Sequence, residues 1–197
     1  MNNREIRTPN KTVHLFLGLQ RTAKGHKKHN CIRHVIKHDT LQELSMFENK
    51  LLSIGGQWRI HKTVNARNVE KARIHLLKNL IEYPEKAAYV DTEWRTSLLQ
   101  RECKATKYFM LDIDTQEEKL ISILDSILDV CEIQYLNNPK KTGMIDETDK
   151  LIIKKIKSPK GYHYITHGFD TREVEKLEYV SLLRDGYYYI KTVGEIK

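Results

Sequence analysis

Apolar residues recur along this chain with two different periods. The run TVHLFLGL (residues 12–19) is apolar almost throughout and predicts a first buried strand, and IRHVIKHD (32–39) predicts a second. LQELSMFENKLLSI then switches to a helical period, with Asp39 or Thr40 placed to cap it and Gly55 and Gly56 placed to stop it. QWRIHKTV predicts a strand. Asn68 is placed to cap the helix VEKARIHLLKNLIEY, whose Val69, Ala72, Ile74, Leu76, Leu77 and Leu80 form the expected apolar stripe. The segment EKAAYVDTEWRTSLLQRECKAT has no dominant period.

The second half opens on KYFMLDID, which reads as a buried strand. Thr115 is placed to cap QEEKLISILDSILDVC, which puts Leu120, Ile123, Leu124, Ile127 and Leu128 on one helical side. There follow EIQYL, the turn-rich NNPKKTGMIDETD, the strands KLIIKKI and GYHYITH joined by KSPK, a helix from about Thr171, and a terminal strand GYYYIKTV. Strands and helices alternate early, and short strands joined by turns dominate later. The expected class is therefore α+β, a mixed or antiparallel sheet with flanking helices. With no repeat, four Pro and nine Gly, the 197 residues predict one domain made of an N-terminal half (1–107) and a second half (108–197).

Charge narrows the range of partners. Lys and Arg outnumber Asp and Glu by 34 to 26, a formal net charge of +8, which favours polyanions such as nucleic acid or nucleotides. Cys31, Cys103 and Cys131 are odd in number and widely spaced, which argues against a disulfide framework or a four-cysteine zinc site. No apolar run reaches the length of a membrane span, and MNNREIRTPNK lacks the apolar core of a signal peptide. The expectation is a soluble protein of the cytoplasm with no membrane partner.

The candidate chemistry starts from Asp112 and Asp114. On a strand they share one face while Leu111 and Ile113 take the other. Two carboxylates side by side repel unless a cation lies between them, and hard ions such as Mg²⁺ or Mn²⁺ favour oxygen ligands of this kind. A second constellation is SPKGYHYIT. Ser158 offers a hydroxyl, Lys160 a point charge, Gly161 a close backbone approach, and His163 a donor for a phosphate oxygen. Upstream, Arg59 and His61 share a strand face and Arg67 lies near a helix N-terminus, which reads either as a phosphate contact or as a solvated basic face. The His-rich run GHKKHNCIRHVIKH matches no standard zinc finger, and with Arg21, Lys24, Lys27, Lys28 and Arg33 it reads as a basic loop for a nucleic-acid backbone.

Taken together, LDID on a strand followed by SPKGYHYI resembles the archaeo-eukaryotic primase superfamily, including the small primase-polymerases of phages and plasmids. The resemblance implies that Asp112 and Asp114 bind catalytic Mg²⁺ or Mn²⁺ and that Ser158, Gly161 and His163 contact an incoming nucleotide triphosphate. It further implies nucleotidyl transfer on a nucleic-acid template, in company with replication proteins. A third carboxylate belongs to the family pattern; Asp185 is the preferred candidate, with Glu178 and Asp170 as the others. Without a third ligand, the scaffold would bind nucleotide or nucleic acid without turnover. A haloacid-dehalogenase-type phosphatase is disfavoured, because a Thr stands three residues after Asp112 instead of four and too little chain follows.

Overall fold

The computed structural model describes residues 12–21, 30–36, 41–137 and 150–195. Two units make up the chain: the described residues up to Thr106 together with those from Thr192 onward, and Lys107–Lys191. The class is α+β, with two antiparallel sheets.

The first unit contains β1 (Thr12–Arg21), β2 (Cys31–Ile36), α1 (Leu41–Ile54), β3 (Gln57–Thr63), β4 (Arg67–Asn68), α2 (Val69–Glu82) and α3 (Val90–Leu98). The second contains β5 (Phe109–Ile113), α4 (Glu118–Leu136), β6 (Ile152–Lys157), β7 (Tyr162–Thr166) and β8 (Val180–Leu183). β9 (Tyr187–Val193) follows, and its last residues belong to the first unit.

The first sheet runs β2-β1-β3-β9, with β4 also paired to β1. β1 is central, and its Leu15, Phe16 and Leu17 are buried, so side chains of both parities are covered. Phe47 and Leu51 of α1 pack against it; Phe47 stacks on Phe16 at 5.6 Å and on His34 at 5.6 Å. A Cβ on Gly18 would come within 2.9 Å of Leu51, so glycine lets the helix sit close. α1 stops where expected, at Gly55 and Gly56 with φ of +83° and +82°. The freed carbonyl of Gly55 accepts hydrogen bonds from Trp58 Nε1 at 2.9 Å and Gln20 Nε2 at 3.0 Å. The expected caps Asp39 and Thr40 lie outside the described residues.

Asn68 caps α2 through its side chain, which accepts from the Lys71 N–H at 3.0 Å. The expected stripe on α2 needs correction, because Ile74 and Leu77 are exposed and Ala72 is the buried residue. At about 100° per residue, Val69, Ala72, Leu76 and Leu80 form one line while Ile74 and Leu77 fall well off it. The segment without a dominant period forms a 3₁₀ stretch (Pro84–Tyr89), α3 and a 3₁₀ turn (Arg101–Cys103). α3 is tied to α2 by His75 Nδ1 to Ser97 Oγ at 3.1 Å and by Asn79 Nδ2 donating to Glu93 Oε2 at 3.0 Å.

The second sheet runs β6-β7-β5-β8. Leu111, Ile113, Tyr164 and Val180 from one face form a core with Leu124, Leu128 and Cys131 of α4 and with Leu151 and Val174. Burying each such side chain contributes about 1.5–3 kcal/mol. Three local expectations differ here. α4 begins at Glu118, and the Thr115 hydroxyl accepts from the Glu117 N–H at 3.1 Å in a tight turn before the helix instead of capping it. α4 runs on through EIQYL to Leu136. The helix expected from Thr171 is one 3₁₀ turn (Val174–Lys176), cut short because the chain must be extended by Val180 to pair with β5. Among the described residues no helix is long and apolar enough to cross a membrane.

Candidate functional site

The antiparallel register fixes which side chains meet on the face of the second sheet opposite its core. Asp112 of β5 lies directly across from His163 of β7 on one side and from Ser181 of β8 on the other. Paired residues in an antiparallel sheet present their side chains to the same face. Ile156 of β6 extends the row beyond His163. The neighbours Leu111 and Ile113 are fully buried in the opposite core, which leaves Asp112 facing away from it, as alternation requires.

Within the row, His163 Nε2 lies 3.2 Å from Asp112 Oδ1. Its other nitrogen, Nδ1, accepts the Tyr189 backbone N–H at 3.0 Å. An imidazole nitrogen that accepts carries no proton, so the neutral ring carries its proton on Nε2, the nitrogen within ion-pair distance of the carboxylate but not aligned with it as a hydrogen bond. His163 is therefore held by the Tyr189 N–H, with its Nε2 left to donate. Its side chain is 10 % exposed, whereas that of Asp112 is 34 % exposed. Among the described residues His163 is the sole partner of the Asp112 carboxylate, and the Asp114 carboxylate has none.

Asp114 lies one residue beyond the end of β5, where its N–H donates to Tyr179 O at 3.0 Å, and it is exposed. Asp185 is not brought to this end. β8 runs antiparallel to β5, and Leu183 already pairs with Met110, so the turn carrying Asp185 lies past the N-terminal end of β5. Glu178 precedes β8 on the Asp114 side and is exposed. Asp170 is engaged by Arg172, whose Nε donates to both carboxylate oxygens at 2.9 and 3.0 Å and holds its pKa down at about 2. Among the described residues no group of three or more His, Cys, Asp or Glu gathers around one point where an ion could sit.

The SPKG segment is a closed hairpin turn. Ser158 N–H donates to Gly161 O at 2.9 Å, and Gly161 N–H donates to Ser158 Oγ at 3.1 Å. The close approach that glycine permits is made to the chain itself: a Cβ on Gly161 would lie 1.9 Å from Ile113 O and 2.7 Å from Thr115 O. Gly161 and the buried Ser158 thus lock the β6–β7 hairpin against the end of β5, immediately beside Asp114. Lys160 is exposed at the tip. On β6, Lys154 pairs across from Ile165, and its ammonium lies 5.3 Å from the Tyr188 ring.

Arg59 and Arg67 belong to the first unit. Arg59 is half-buried on β3. Arg67 is 1 % exposed, so the expected phosphate contact does not hold in this structure: its side chain is buried in the first unit, where β4 pairs with β1 and the Arg67 backbone forms an isolated antiparallel β-bridge with Lys104. Of the basic run, Arg33 is exposed on β2 and Arg21 ends β1, while Lys24, Lys27 and Lys28 lie outside the described residues, as do His26, His29 and His38. His34 is stacked on Phe47.

Two members of the site escaped sequence reasoning. Ser181 and the Tyr189 N–H reach the Asp112–His163 pair only through strand register, for which the sequence carries no local signal. No protein-family model matches the chain, and neither does a curated protein or a solved structure.

Proposed function

We propose that this chain is a metal-dependent nucleotidyltransferase resembling the primase-polymerases, joining nucleotides from triphosphates on a nucleic-acid template. The observation that carries the reading is the 3.2 Å approach of His163 to Asp112. It unites two motifs 51 positions apart in the sequence, the acidic pair and the Ser-Gly-His turn, at one end of one sheet.

The donor set suits a hard divalent cation, since Asp112 offers its second oxygen and Asp114 both of its own. Asp112 and Asp114 would hold Mg²⁺ or Mn²⁺, which when bound neutralises charge on a triphosphate and on the departing pyrophosphate. His163 keeps its proton on Nε2 because Tyr189 occupies Nδ1, so it serves as a donor and not as a ligand of the ion through Nε2. That donor can orient Asp112 or pass to a phosphate oxygen of a bound nucleotide. Lys160, at the tip of the locked hairpin, supplies positive charge on the same side.

The test is the double variant Asp112→Asn and Asp114→Asn, assayed for incorporation of labelled nucleotides with Mg²⁺ and with Mn²⁺. The expected result is loss of incorporation with an unchanged unfolding midpoint, because asparagine retains an acceptor for His163. Equal incorporation by variant and wild type would sink the assignment.

One observation favours a second reading, in which the scaffold binds nucleotide or nucleic acid without turnover. The position across from Asp112 on β8 is Ser181, and Asp185 lies toward the other end of β5, so a third carboxylate is missing from the row. Triphosphate binding by a wild type that incorporates nothing under either metal would select this reading.

A further inference from the structure

A separate basic cavity lies in the first unit. Cys31, Ile32 and Arg33 of β2, Lys50 of α1, and Thr92 and Arg95 of α3 line an open space of about 310 Å³. Three of the six residues are cationic and none is acidic. Among the described residues Arg33, Lys50 and Arg95 form no ion pair. Cations gathered without counter-charge repel one another, and an anion entering between them removes that repulsion.

Other features give the cavity the same character. Among the described residues β2 is the edge of its sheet, with β1 on one side only, so its outward N–H groups are not used by that ladder. Because these alternate along a strand, at least one of Cys31, Ile32 and Arg33 directs its N–H away from β1. Thr92 adds a hydroxyl. His34, next along β2, reads the local field: burial first, then the Lys50 ammonium and more weakly Arg95, push its pKa below the usual value, against the opposing pull of Glu43.

We propose that this cavity binds a phosphate group, with the Arg33 and Arg95 guanidiniums, the Lys50 ammonium and the Thr92 hydroxyl around its oxygens. Two guanidiniums each offer a planar fork matched to a pair of oxygens, and a tetrahedral oxyanion has enough acceptors for both forks together with the other donors. A planar carboxylate has two oxygens and satisfies one fork. The cavity is open, so the phosphate can belong to a larger molecule, either a nucleic-acid backbone or a nucleotide with a terminal phosphate. The assignment stands on the first unit alone and does not rest on the chemistry of Asp112.

The experiment uses the full chain labelled with ¹⁵N and follows the Arg95 Nε–H and Trp94 Nε1–H signals as inorganic phosphate is added, with chloride at matched ionic strength as the control. Phosphate is expected to give saturable shifts that chloride does not reproduce. Arg33→Ala with Arg95→Ala, followed at Trp94, should weaken phosphate binding about tenfold or more, and Lys50→Gln, at an exposed position, about threefold. Displacement of phosphate by an oligonucleotide without terminal phosphates assigns the backbone as the source, whereas displacement only by a 5′-mononucleotide assigns a terminal phosphate. Equal responses to phosphate and chloride, or wild-type phosphate affinity in Lys50→Gln and in the double variant, would overturn the proposal.

Discussion

Both units carry a dense group of polar residues at a strand end, and they place it in opposite environments. In the first unit Lys62, Thr63, Asn65 and Arg67 are exposed by 6, 0, 0 and 1 %. Their polar groups face inward: Thr63 Oγ1 accepts the Leu15 N–H at 3.1 Å, and Asn65 Oδ1 accepts from the Thr106 hydroxyl at 3.1 Å. In the second unit Asp112 keeps about a third of its side chain in solvent, and Asp114 is exposed just beyond it. Burying a polar group is tolerable only when its hydrogen bonds are met inside, as those of Thr63 and Asn65 are, so these residues are committed to holding the fold. The second group retains open oxygens that can meet a ligand. A similar density of polar residues thus marks structure in one place and a candidate site in the other.

The sharpest way to break this comparison is Arg67→Ala. If Arg67 holds the first unit together, the substitution removes a large buried side chain and should cost about 3 kcal/mol in urea unfolding. A loss near zero would mean that the guanidinium is replaceable and the buried group is not structural.

Gly161→Ala tests the second unit at its one committed point. The new Cβ would press on the Ile113 and Thr115 backbone, which cannot yield as a flexible side chain would, so a destabilisation of about 2 kcal/mol is expected. Because the strain falls beside Asp114, the nucleotide binding proposed for this site should weaken along with stability. Wild-type stability in this variant would show that the hairpin is not locked against β5.

The smallest effect concerns His34. Its folded pKa lies below the ordinary 6.5, chiefly through burial, so the unfolded chain binds the extra proton first as the pH drops. Stability should therefore fall as the pH is lowered through about 6.5. His34→Gln should flatten that part of the profile, measured as unfolding midpoint against pH, and an unchanged slope would assign the acid sensitivity to other groups. Glu43, which raises the His34 pKa, and Lys50 and Arg95, which lower it, are the charged neighbours whose balance sets the size of the effect.

Local features were legible in the chain wherever a residue acts on its own neighbours. Gly55 and Gly56 end α1, and Asn68 caps α2, because a positive φ or a side-chain acceptor three residues from its donor needs no distant partner. Thr115 misled because a hydroxyl that can cap a helix can equally close a tight turn before it, as it does with the Glu117 N–H. Arg67 misled in another way. Its position beside a helix start suggests an anion contact, but burial depends on what packs above it, and that comes from elsewhere in the chain.

By itself the sequence determined the α+β class, the strands and helices with a clear period such as β1, α1, α2 and β5, and the separation of Asp112 from Leu111 and Ile113 onto opposite faces. Each follows from alternation, helical period or composition within a short window. Only the tertiary structure decided that Asp112 meets His163 and Ser181, that Asp185 lies toward the other end of β5, and that Arg33, Lys50 and Arg95 surround one cavity. The first two outcomes depend on the register of the second sheet, which is set by Leu111, Ile113, Tyr164 and Val180 packing together against α4, and the third depends on α1 and α3 packing in the first unit. A slip of one residue would turn these side chains to the other face, so long-range burial of the core, and not any local motif, places the carboxylate beside the imidazole.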